Sequence, residues 1–105
     1  MAILHLIEKR VFPDNLQCLD KQNDAWESGF WVVAADTAQQ LVGGMICLHD
    51  AQDKRSYFGG EILGYRMVTG DDKKPRAVFR FRATREARDV RAGPANWGQE
   101  KKIVW

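Results

Sequence analysis

Arg76, Arg80, Arg82, Arg85, Arg88 and Arg91 crowd into one stretch of the second half of the chain. A guanidinium presents a planar fork of donors that meets a phosphate with two parallel hydrogen bonds, so phosphate contact is the chemistry this clustering suggests. Glu86 and Asp89 lie among the arginines and reduce the segment from 76 to 91 to +4. A solvated strand face is the plainer alternative. Arg76, Arg80, Arg82 and Arg85 are the expected phosphate contacts.

Other reactive side chains are sparse. His5, His49, Cys18 and Cys47 include one close pair, Cys47-x-His49, whereas structural zinc sites use tight pairs such as Cys-x-x-Cys. No metal and no cofactor is expected, and Cys47, inside an apolar run, reads as a buried thiol. Catalysis needs a nucleophile beside a base, or two opposed carboxylates. His49 with Ser56, and Asp50, Asp53 and Glu61 around them, are the nearest approach. Their spacing does not demand a reaction, so a non-catalytic protein is favoured.

These residues must be positioned by a chain of 105 residues, 45% hydrophobic and 29% charged. That suits one domain over residues 1–105 with a single core. Residues 1–61 carry a formal charge of −4 and residues 62–105 carry +6, an asymmetry that would let one surface meet an anionic partner. MAILHLIEKR is too short an apolar segment for a signal peptide, and no run approaches the ~20 apolar residues of a membrane span, so a cytoplasmic protein is expected.

The organising stretch is 41–66, two apolar strands joined by the polar loop DAQDKRS. Strands are expected over 2–7, 29–35, 45–49, 57–68, 76–83 and 103–105, from their β-branched and aromatic runs. Between residues 76 and 83, Ala77, Phe79, Phe81 and Ala83 should face one way and Arg76, Val78, Arg80 and Arg82 the other. Residues 14–26 read as a loop with one helical turn capped by Asp14, and Asp36 should cap a short helix over TAQQL that stops at Gly43-Gly44. Gly59-Gly60 marks a bulge, a sharp bend or a close backbone approach, and Gly64 a second irregularity. Six strands with glycine corners predict a mainly β fold, a strongly bent or closed small barrel with one or two short helices.

The succession FWVV, DTAQQL, Gly-Gly, MICLH, polar loop and YFGGEILGYRMV resembles the PUA-like barrel group, which includes the EVE, YTH, ASCH and SRA domains, over about residues 29–83. The Gly-x-Lys-x-x-Glu-x-Arg pattern of the ASCH group is missing. The resemblance implies nucleic-acid binding, with a flipped or modified base held between aromatic rings. Trp26, Trp97 and Phe58 are then the stacking candidates, with Asp36 or Asn96 at the base edge. Trp31, in the most apolar strand, reads as core. The competing function is a protein-interaction or oligomerisation module, a homodimer for instance, built on Tyr57-Phe58 and Val104-Trp105.

Overall fold

The computed structural model describes residues 2–8, 16–98 and 100–105. Seven strands, β1 (Ile3–Ile7), β2 (Leu16–Asp20), β3 (Ala25–Trp31), β4 (Met45–His49), β5 (Phe58–Thr69), β6 (Pro75–Ala83) and β7 (Lys101–Val104), join a helix α1 (Ala35–Leu41) and a 3-10 turn at Arg85–Ala87. They form one mixed sheet in the order β2-β3-β6-β5-β4-β1-β7. β1 and β4 run parallel, and every other neighbouring pair is antiparallel.

Alternation along β6 follows the sequence pattern. Ala77, Phe79 and Phe81 are fully buried, and Arg80 and Arg82 are exposed. Val78 departs from it: it sits among the arginines yet is buried, because the side-chain-free Gly29 lets it press against the backbone of β3. Leu4, Leu6, Ile46, Leu48, Ile62 and Trp31 complete the core with Ala38 and Leu41 of α1.

The long hairpin β5–β6 carries a register shift between Ile62 and Gly64. Leu63 is pushed outward there, so Ile62, Tyr65 and Met67 all keep to the core side. Gly59 and Gly60 serve close approach. A Cβ on Gly60 would lie 1.8 Å from the Arg82 carbonyl oxygen, and one on Gly59 would lie 2.0 Å from that of Ile46. A second shift, between Ser28 and Trp31, exposes Phe30 and buries Trp31.

Several expectations are corrected. Residues 16–31 form a hairpin, β2–β3, rather than a loop with a helical turn, and Asp14 lies outside the described residues. β3 ends at Trp31 instead of running to Ala35. Asp36 sits inside the first turn of α1, whose N-cap is Ala34, and its Oδ1 accepts the Thr37 amide.

The expected barrel is not closed. No ladder joins β2 to β7 among the described residues, and the mainly β sheet is open. It is nevertheless coiled, because strands distant in the order approach one another: Ser28 Oγ of β3 lies 3.5 Å from Glu8 Oε1 just beyond β1, and Lys101 Nζ of β7 donates to the Val32 carbonyl just beyond β3. Twist accumulated along a sheet this wide brings its ends together. None of the described helices is long and apolar enough to cross a membrane.

Candidate functional site

The phosphate candidates do not form one free row. Arg82 is paired with Glu61 at 3.0 Å and Arg76 with Asp72 at 2.8 Å, while Arg66 holds Glu27 through two bonds of 2.9 and 3.1 Å. The Arg66 bonds draw the Glu27 carboxyl below its usual range. Hydrogen bonds from Asn23 hold the Asp20 carboxyl below its usual range, and Arg80 adds a smaller stabilisation of the charged forms of Asp20 and Glu27. The Arg82–Glu61 pair is exposed on both sides, and a pair of this kind exchanges partners at little cost, since it contributes only ~0–1 kcal/mol.

The aromatic candidates separate into two groups. Trp26 lies opposite Phe81 in the register and Phe58 opposite Leu48, so both belong to the core side of the sheet. Their rings meet edge to face at 5.0 Å, and Phe58 meets Phe81 at 5.8 Å. Arg88, on the segment that follows β6, places its guanidinium 5.1 Å from the Phe58 ring centroid. Asp24 Oδ1 accepts the Trp26 indole N–H at 2.8 Å.

Trp97 lies elsewhere. Its ring packs against His49 at 5.8 Å and His5 at 6.3 Å, and these histidines alternate with the core residues Leu4, Leu6 and Leu48, so they occupy the other face. Trp26 and Trp97 therefore do not flank one pocket. Arg80 and Arg82 also lie on the face opposite Phe79 and Phe81. Of the arginines past the strand, Arg88 reaches the Trp26–Phe58 end, where Thr84 N and the Ala87 side chain close on Gly59. Asp36 is exposed on α1, and Asn96 is exposed beside Trp97 in a positive-φ turn; no contact links either to Trp26 or Phe58.

Sequence reasoning left two features unread: the part of Arg88 and the pairing of His5 with His49. His5 Nδ1 and His49 Nε2 are 2.9 Å apart, and His49 Nδ1 donates to the Lys54 carbonyl at 2.8 Å. Burial, the facing His49 and the nearby Lys102 push His5 down to about 4, and burial lowers His49. Both are neutral near pH 7. The covering layer is pinned by Ser56, whose hydroxyl donates to Ala87 O at 2.7 Å and accepts from Val90 N at 2.9 Å.

With the Ser56 hydroxyl and both His49 ring nitrogens engaged in this way, the pair His49–Ser56 makes no nucleophile–base contact. Burial also pushes the Cys47 thiol up to about 12, which leaves it protonated and unreactive. No group of three metal-ligating side chains occurs among the described residues. Comparisons of the chain with protein-family models, with curated proteins and with solved structures give no match.

Proposed function

We propose that the protein binds nucleic acid through unpaired bases and catalyses no reaction on it. In this reading the coiled sheet is a PUA-like pseudo-barrel whose Phe58 end receives a base, and Arg85 and Arg88, past β6, meet phosphates. The supporting observation is the Arg88 guanidinium over Phe58 with Trp26 edge-on to the same ring. A base entering there exchanges one planar partner of Phe58 for another, and stacking of this kind contributes about 1–3 kcal/mol per base. The freed guanidinium would turn to a phosphate. Asp24, fixed by the Trp26 indole, supplies an acceptor near a base edge.

Titrating tryptophan fluorescence with single- and double-stranded DNA and RNA at two salt concentrations tests this. Quenching by single strands that weakens steeply with salt is expected. Replacing Phe58 and Arg88 together by alanine should weaken binding by about tenfold or more. A flat response to all four nucleic acids at low salt overturns the reading.

The competing function, self-association, is favoured by the exposure of Phe30 (49%), Val32 (60%) and Trp105 (63%). Light scattering decides it: a tight dimer combined with no oligonucleotide response would replace the nucleic-acid reading.

A further inference from the structure

A cleft of about 350 Å³ opens between the β4–β5 connection, with Gln52, Asp53 and Lys54, and the segment before β7, with Arg91, Ala92 and Gly93. Three of its backbone carbonyls already accept hydrogen bonds. The Lys54 carbonyl takes the His49 Nδ1 hydrogen, the Gly93 carbonyl takes the Trp97 indole hydrogen at 2.9 Å, and the Ala92 carbonyl takes Lys102 Nζ. Gln52 is turned to the Gly98 carbonyl at 3.5 Å. The charged residues of the lining are Lys54 and Arg91, both exposed, with Asp53 as its single carboxylate. A donor-rich opening with two cations against one anion selects an anion with several acceptor oxygens.

The cleft is also tied to Phe58 through the backbone. Ser56 N donates to Val90 O at 2.9 Å and Asp89 N donates to Ser56 O at 2.7 Å, so the backbone of 54–58 and that of 88–91 are laced together. Phe58 and Lys54 are four residues apart on one, and Arg88 and Arg91 three apart on the other. Extended backbone limits these separations to about 14 and 11 Å.

We propose that this cleft is a phosphate subsite, and that its phosphate comes from the same strand whose base rests at Phe58. This second half rests on the nucleic-acid reading; the first does not. Lys54 and Arg91 contact the phosphate, and Asp53 limits its affinity. The hydrogen bonds from His49 and Trp97 hold the two walls apart at a fixed width.

The test compares the wild type with the Lys54→Ala, Arg91→Ala double variant and with Asp53→Asn. The probes are a short single-stranded oligonucleotide, a 5′-mononucleotide and inorganic phosphate. Thermal melting first confirms that the variants, all altered at exposed residues, fold. For the oligonucleotide, the double variant should bind about tenfold more weakly. The slope of log K against log salt should fall by about 0.7, the loss of one neutralised phosphate on a single strand, and Asp53→Asn should bind more tightly.

Oligonucleotide binding with an unchanged slope in the double variant overturns the subsite while leaving the Phe58 reading intact. If no oligonucleotide binds, the Phe58 reading fails. Tryptophan quenching by phosphate or the mononucleotide that the double variant loses then upholds the cleft, with a small phosphorylated molecule as its source. Silence from all three probes overturns both.

Discussion

His5 Nδ1 donates to His49 Nε2 across 2.9 Å, although 44 residues separate them in the chain. The direction follows from the next link. A carbonyl oxygen only accepts, so the hydrogen between His49 and Lys54 sits on His49 Nδ1; neutral His49 then has a bare Nε2, and the hydrogen facing it belongs to His5. The chain His5, His49, Lys54 carbonyl joins the outer face of β1 and β4 to one wall of the cleft between 52–54 and 91–93.

The pair makes stability depend on acid. The folded value of His5, about 4, lies below its unfolded value of 6.5, so the unfolded chain holds the proton more tightly. The contribution is complete above pH 6.5 and is lost as pH falls from there through about 4. It amounts to on the order of 3 kcal/mol. Urea midpoints at pH 7.5 and 4.5 should differ accordingly. His5→Asn keeps a donor at the Nδ1 position without titrating, and it should flatten the difference; an equal pH loss in that variant would exclude His5 as its source.

Ser56 is expected to matter more for stability than its size suggests. Ser56→Ala leaves the Ala87 carbonyl and the Val90 amide without their partner beneath the covering layer, at about 1–3 kcal/mol for each group left unmet. Chemical denaturation measures the total, and amide exchange at Val90 should speed up in the same variant. Unaltered exchange there would mean that the lacing of 54–58 to 88–91 does not depend on the hydroxyl.

The glycines of β5 should divide sharply. Gly60→Ala forces a Cβ to 1.8 Å from a backbone oxygen that cannot move without opening the β5–β6 ladder, so a loss of about 3 kcal/mol is expected, and Gly59→Ala should behave alike. Nothing lies within 4 Å of a Cβ on Gly64, and Gly64→Ala should change stability by no more than about 0.5 kcal/mol either way. Equal effects at Gly60 and Gly64 in denaturant melts would show that crowding is not the reason for glycine at 60.

Binding by the Phe58 end should respond to Arg88 and ignore Arg80. Arg88→Ala removes the guanidinium beside the ring and should reduce oligonucleotide affinity about tenfold, whereas Arg80→Ala, on the opposite face of β6, should leave it within about twofold. The two titrations are directly comparable, and a reversal of the order would move the interface to the outer face.

The sequence by itself determined the side on which each residue of β6 lies, the β4–β5 hairpin, the short helix before Gly43-Gly44 and the need for glycine at 59 and 60. The first three are local, since a period-2 pattern and a turn residue act within a few positions, and the glycines are legible because the residue type itself marks a close approach. It did not reveal β2, because LQCLD leaves Gln17, Cys18 and Leu19 exposed on an edge strand and so carries no alternation. Tertiary structure decided which strands are neighbours, and with them every feature of the candidate sites. The parallel pairing of β1 with β4 brings His5 beside His49, and the turn of the chain past β6 carries Arg88 to Phe58. It also assigned Trp26 and Trp97 to opposite faces. Alternation tells which residues share a face of one strand; only the curl of the whole sheet sets which faces meet.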